Sequence, residues 1–347
     1  MVRTLVKTVM LGLLLIQQAA AAVILMYHHV DAAAPAATAV TPAQFAEHLD
    51  RLAAEGFEVV RLDQLIEQVR EGTDPRKKLV AITFDDAYRS IYEVGLPALE
   101  ARGWQGAVFI NTAGVGDGAL AMSEQMVADI HRRGHLLLNH SDSHPHMVRR
   151  LDGETDKAWR QRMKAEIDTA QQKLKAWTGA AVLPWLAWPY GEQNRELREL
   201  ARELGYLGFG QQSGALDNTV DWQNIPRIPV NRQYADWSSL REKLLALPLP
   251  VRATQPEDGV TESPRPELTL VLNGDWRGRQ LQCFIAGTLT RPTVRFSDGV
   301  SEVVLRAGKD IPVGRSRYNC TAFAGDGRYY WYSWVWMRRT AGGWYPE

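Results

Sequence analysis

From residue 23 to about residue 247, apolar runs of strand length alternate with helical patterns, a text that calls for a parallel sheet wrapped by helices. Strands are expected at 23–30, 57–60, 79–84, 107–110, 136–138 and 183–188. Helices are expected between them near 62–70, 90–102, 123–133, 157–177 and 194–204. One more should follow Thr41 and Pro42, an N-cap and first helical residue ahead of Phe45, Leu49 and Leu52. At least six such units predict an α/β chain forming a (β/α) barrel across residues 23–247.

The pattern changes at residues 248–266, where prolines and charges without periodicity read as a linker. Residues 267–347 carry short β-type runs broken by NGD, SDG, AGKD and GDG turns, which predicts a small all-β sandwich. The only cysteines, Cys283 and Cys320, both lie there and are expected to pair in an oxidising compartment. The stripe from Tyr329 to Trp336 is aromatic on both faces; it reads as sandwich core or as a sugar-binding platform.

Arg3 and Lys7 precede an apolar run at 9–16 that ends in Ala19, Ala20, Ala21 and Ala22, the layout of a signal peptide over 1–22. The run is shorter than the ~20 residues of a membrane-spanning helix. A periplasmic or secreted protein without stable membrane insertion is the expectation. Lys and Arg total 40, as do Asp and Glu, so no field of one sign exists to gather nucleic acid, and no nucleic-acid partner is expected.

Chemistry concentrates at two strand ends. KLVAITFDDAY closes on adjacent carboxylates, Asp85 and Asp86, where βα folds gather catalytic groups. NHSDSHPH places His140 and His144 four residues apart. Taken singly, the acids read as a cap or ion pair and the histidines as surface residues. Together they read as a two-histidine, one-carboxylate site for Zn²⁺ or another first-row divalent ion, with positions open to water and substrate.

In order, ITFDDAY, RRGHLLLNHSDSHP and LAWPYGE resemble the first three motifs of the polysaccharide deacetylases, carbohydrate esterase family 4, and the resemblance covers residues 23–247. The pieces MYHHV, WPYGEQN, QQSGAL and IPRIPV look most like the branch that deacetylates poly-β-1,6-N-acetylglucosamine in biofilms. The resemblance implies a distorted barrel of the NodB-like type. It implies Asp85 as general base and Asp86, His140 and His144 as ligands of a divalent metal ion, Zn²⁺ first, with Ni²⁺, Co²⁺, Fe²⁺ or Mn²⁺ as alternatives. It also implies a backbone N–H from Tyr190 toward the developing oxyanion, with Trp188 and Pro189 beside the substrate.

Most of the family takes its general acid from a late histidine, and this chain has none after His146. In the biofilm branch the equivalent histidine lies in the first strand, which points to His28, with His29 facing the other way. His146 reads as a substitute ligand or cleft residue, His135 as packing, His48 and His131 as surface helical residues, and Ser141 as a loop support. Trp185 and Trp188 read either as core or as sugar-stacking surfaces. The third motif opens on Leu186, Ala187 and Trp188 where many relatives have an arginine that orients the base. Arg227 is a candidate to hold a carboxylate of the site, and Asn231 and Arg232 follow close behind it.

A secreted, metal-dependent N-deacetylase of an N-acetylglucosamine polymer is the function these features imply, with exopolysaccharide export components as partners. Chitin oligomers, peptidoglycan or O-acetylated xylan as substrate, and a catalytically silent glycan-binding protein, are the competing expectations.

Overall fold

A computed structural model describes residues 21–72, 74 and 77–345. Of the expected signal peptide, residues 1–20 lie outside the described residues, while Ala21 and Ala22 open the first strand. No helix among the described residues is long and apolar enough to cross a membrane.

Seven parallel strands form a half-barrel: β1 Ala21–Tyr27, β2 Lys78–Asp85, β3 Ala107–Ile110, β4 Leu136–Asn139, β5 Trp185–Ala187, β6 Leu207–Phe209 and β7 Ile228–Pro229. Their spatial order is β7-β1-β2-β3-β4-β5-β6, and a short strand, Glu58–Val59, pairs with the start of β2. The edge strands β6 and β7 do not pair with each other. Instead the Ile225 backbone bonds Gly208 and Gly210 at 2.8 Å on the β6 side, and three residues later the chain pairs with β1. Gly208 makes this closure feasible, because a Cβ there would stand 2.3 Å from the Gln223 carbonyl oxygen.

Strand alternation explains the near-continuous apolar text. On β1, Val23, Leu25 and Tyr27 pack outward with Phe45, Leu49 and Leu52, while Ala22 and Ile24 pack inward with Phe109, Leu138 and Phe209. The helices are α1 Pro42–Ala54, α2 Leu62–Glu71, α3 Leu96–Glu100, α4 Glu124–Arg132, α5 Asp156–Thr178, α6 Arg195–Glu203 and α7 Trp237–Leu244. The α1 start is a capping box, with the Gln44 N–H donating to Thr41 Oγ1 and the Thr41 N–H to Gln44 Oε1. The helix expected over 90–102 begins as a π turn, Ile91–Gly95, before α3, because Pro97 has no N–H to continue an α ladder.

His48 is a correction. On α1 it is fully buried, accepting from the Tyr27 hydroxyl at Nδ1 (3.0 Å) and donating from Nε2 to the Ala235 carbonyl (2.7 Å). It lies on the apolar face beside Phe45, Leu49 and Leu52, a periodicity that the polar side chain disguised. His135 packs as expected, with Nδ1 accepting from the Gly106 N–H and Nε2 donating to Glu100.

The second unit is a two-sheet sandwich. One sheet has the order β8-β9-β13-β12: Val251–Gln255, Glu267–Asn273, Val300–Arg306 and Thr293–Ser297. The other contains β15 Arg328–Arg338, β14 Gly314–Gly325, β10 Gln282–Ile285 and β11 Thr288–Thr290. Strands Leu247–Pro248 and Val260–Thr261 both join β15, so the stretch expected to be linker is partly sheet. Pro248, Pro250, Pro256 and Pro266 fall at or beside the ends of strands Leu247–Pro248, Val251–Gln255 and Glu267–Asn273, which is why the text looks irregular. Cys283 and Cys320 face each other on β10 and β14 and are joined, S–S 2.10 Å.

The double aromaticity of β15 has a packing cause. Trp334 and Trp336 enter the sandwich core with Leu270, Tyr318 and Leu305. On the alternate face Trp331 packs on the outer barrel core, and Val335 and Met337 pack with Trp159, Trp188 and Leu197. Trp334 and Trp336 are thus sandwich core, while Tyr329, Tyr330, Trp331 and Tyr332 stay half-buried.

Candidate active site

The site assembles at the carboxyl ends of β1, β2, β4 and β5. By strand parity Asp85 shares the concave face with Thr83, and a regular continuation would send Asp86 to the opposite face. Asp86 instead adopts φ 73°, which breaks the alternation and brings both carboxylates to one place. The turn is held by the Ala87 N–H donating to Asn111 Oδ1 (3.1 Å).

His140 directly follows β4, and Ser141 (φ 63°) and His144 (φ 55°) then fold the loop back on itself, with the His144 N–H bonded to Ser141 Oγ. Asp86, Ser141, His144 and Tyr190 are all the non-glycine residues with positive φ in the described half-barrel, and all four line or support the site. Such conformations concentrate where function over-determines the backbone.

Asp86 Oδ1 lies 3.6 Å from Nε2 of both His140 and His144. Ligand atoms of these three residues fall within 4.8 Å of one another, the one such group among the described residues. His140 donates from Nδ1 to the Ala187 carbonyl at 2.8 Å, which fixes its tautomer and leaves the Nε2 lone pair aimed at Asp86. That nitrogen is buried without a hydrogen-bond partner, a costly arrangement unless a cation takes the lone pair. Burial and the adjacent His140 push the His144 imidazole down to about 4 against the pull of Asp86, so it is neutral and ligand-ready at ordinary pH. The residues fit a divalent ion.

Asp85 is fully buried, 4.0 Å from His140 Nε2, and receives two hydrogen bonds from Arg227. Burial alone would raise its pKa, yet Arg227 and then His140 outweigh that and hold it at about 2. Arg227 also donates to the Gly210 carbonyl (2.9 Å) and lies over the Phe109 ring. It sits in the segment that closes the sheet between Ile225 and β7, and so supplies from another part of the chain the partner missing from the third motif.

His28 occupies the break after β1 and lines a cleft of about 930 Å³ with Asp86, Tyr88, His144 and Tyr190. His29 is buried and stacks on Tyr88, ring centroids 3.5 Å apart. Tyr190, at φ 58°, follows β5, with His144 edge-on at 4.5 Å and His146 stacked flat on it at 4.0 Å. His146 donates from Nδ1 to the fully buried Glu192 (2.7 Å), placing it behind Tyr190 and outside the ligand group.

Trp188 and Pro189, expected beside the substrate, are both buried and absent from the cleft lining. The Trp188 indole N–H donates to the Gln223 carbonyl (2.9 Å), so its ring is core. Trp185 is buried against Phe209. Asn231 lines the cleft rim, and Arg232 is bonded to the Ala34 carbonyl.

Sequence reasoning missed the second unit's share of the cleft. Arg315 and Arg317, two apart on β14, and Tyr345 reach the rim. Arg315 donates to the Tyr190 carbonyl and Arg317 to that of Gln211 (2.9 Å), while the Tyr345 hydroxyl bonds Glu192.

Residues 72–209 match the family described as Polysaccharide deacetylase. YxkH of Bacillus subtilis is 23% identical over 54% of this chain and 64% of its own length. A poly-beta-1,6-N-acetyl-D-glucosamine N-deacetylase of Escherichia coli K12 is 26% identical over 51% of this chain and 31% of its own. The chain thus spans less than two thirds of either curated relative. Among solved structures, IcaB from Ammonifex degensii superposes with a TM-score of 0.55 at 22% identity, covering 65% of this chain and 98% of that one, a likeness of fold.

Proposed function

We propose that the chain, whose residues 72–209 match the polysaccharide deacetylase family, is a secreted, metal-dependent enzyme removing N-acetyl groups from poly-β-1,6-N-acetylglucosamine during biofilm matrix formation. The observation that carries the reading is a buried carboxylate kept ionised by Arg227 beside three convergent ligand atoms. A silent binding protein has no use for that pairing. The β-1,6 linkage rests on the sequence pieces shared with the biofilm branch and on the E. coli relative.

A divalent ion held by Asp86, His140 and His144 would polarise the acetyl carbonyl and acidify a water. Asp85 is ionised at any ordinary pH and accepts the proton of the attacking water. The Tyr190 N–H, fixed by its left-handed turn, donates to the oxygen on which charge develops. His28, across the cleft, protonates the departing amine, leaving a free amino sugar and acetate.

Acetate release from β-1,6-linked N-acetylglucosamine oligomers, with chitin oligomers alongside, tests this in metal-reconstituted wild type and Asp85→Asn. Release selective for the β-1,6 series and lost in the variant is expected. Release from chitin alone would move the substrate, and none from either while metal and oligomer bind would overturn the assignment.

A further inference from the structure

We propose that Arg315, carried by the sandwich, is a positioning residue for Tyr190, so that the catalytic turn of the barrel is completed by the second unit. The inference rests on the functional reading above, in which the Tyr190 N–H serves the reaction.

The turn Pro189–Gly191 is a single three-residue turn. From below it has the Gly191 N–H on the Trp188 carbonyl (2.8 Å) and the Glu192 N–H on that of Pro189 (3.0 Å). Neither bond involves the Tyr190 carbonyl. That carbonyl accepts from the Arg315 guanidinium, which also stands 5.5 Å from the Tyr190 ring centroid. Arg315 therefore bonds the Tyr190 carbonyl and joins His144 and His146 against its ring, so that two of the substituents on the Tyr190 Cα are held. With tetrahedral geometry at Cα, fixing those two fixes the direction in which the backbone nitrogen leaves.

Arg315 is itself drawn to this place. Glu192, fully buried two residues beyond Tyr190, holds its Oε1 3.7 Å from Arg315 Nε and also bonds His146 and Tyr345. A buried carboxylate contacted by two residues of the second unit ties the third motif to it. Arg317, on the same face of β14, fixes Gln211, against which Gly191 packs so closely that a Cβ there would stand 2.6 Å from Gln211 Cβ. The left-handed turn is thus clamped on both flanks by one strand of the sandwich. An exposed ion pair would contribute little here. The hydrogen bond to a strained peptide's carbonyl sets Arg315 apart from the other surface arginines.

The test compares Arg315→Met and Arg315→Lys with wild type in the full chain. Acetate-release kinetics, metal content, melting temperature and amide hydrogen exchange over residues 188–192 are read together. Arg315→Met should lower kcat about 10-fold, less than removal of an oxyanion donor outright, with KM, metal content and melting temperature held. Exchange at 188–192 should quicken, and Arg315→Lys, which keeps one donor, should recover part of both effects. Unchanged kcat and exchange, or a kcat loss that tracks melting temperature or metal, would assign Arg315 to docking alone and overturn the proposal. If wild type releases no acetate, the functional reading fails, while the exchange comparison still decides whether Arg315 holds Tyr190.

Discussion

Arg227 crosses 142 residues of sequence to grip Asp85, donating one hydrogen bond to each carboxylate oxygen at 2.6 and 2.7 Å, with both side chains fully buried. A fork of this geometry fixes the carboxylate plane as well as its charge. Arg227→Met should strand a buried charge, cost about 3–5 kcal/mol in urea unfolding, and abolish acetate release. In wild type the pair's stabilisation is present above the ordinary carboxylate pKa and is lost only as pH falls toward about 2. Adding Asp85→Asn to Arg227→Met should recover part of the lost stability without recovering activity; equal stability of the two variants would show that the pair is not coupled.

The proposed ligands and the proposed base should be separable by substitution. Asp86→Ala and His140→Ala should lose bound metal and activity together, whereas Asp85→Asn should retain the metal and lose turnover by at least about 100-fold. Metal content by elemental analysis beside single-turnover acetate release checks the division. Metal loss in Asp85→Asn would place Asp85 among the ligands.

If His28 protonates the leaving amine, His28→Gln should slow amide hydrolysis about 100-fold yet spare an activated aryl acetate, whose leaving group needs no proton. His29→Gln, which removes the stack on Tyr88, should affect both substrates alike. The ratio of the two rates in each variant is the measurement.

His48 predicts a pH-dependent stability. Burial lowers its pKa from 6.5, against the opposing hydrogen bond to Ala235, so it is neutral when folded and takes up a proton more readily when unfolded. Stability should therefore fall as pH drops below about 6.5 and level off once the folded form is also protonated. His135, also lowered chiefly by burial, adds to the same slope. In His48→Gln the urea midpoint should vary less with pH between neutrality and mild acid; an unchanged slope would exonerate His48.

Strand positions were legible because both faces of the half-barrel are apolar, and the candidate ligand group because Asp86, His140 and His144 stand at or just beyond strand ends. What escaped was contact at long separation. Arg227 was visible only as a candidate, since nothing local connects it to Asp85. His28 and Arg227 both fall outside the matched residues 72–209. Trp188 was misplaced because an aromatic beside a catalytic motif looks the same whether it faces sugar or Gln223. The aromatic β15 left core and platform both open, because a strand that also packs against another unit leaves no local trace of it.

The left-handed residues Asp86, Ser141, His144 and Tyr190 set the aims of an engineer against one another. At the non-acidic three, glycine would relax the backbone by roughly 1 kcal/mol each, and glycine cannot ligate, brace or stack. Directed evolution screened for heat resistance alone should drift toward glycine at 141, 144 and 190, yielding hardier and inert descendants. A screen that keeps acetate release in view should find its gains elsewhere, on the sandwich and the outer helices.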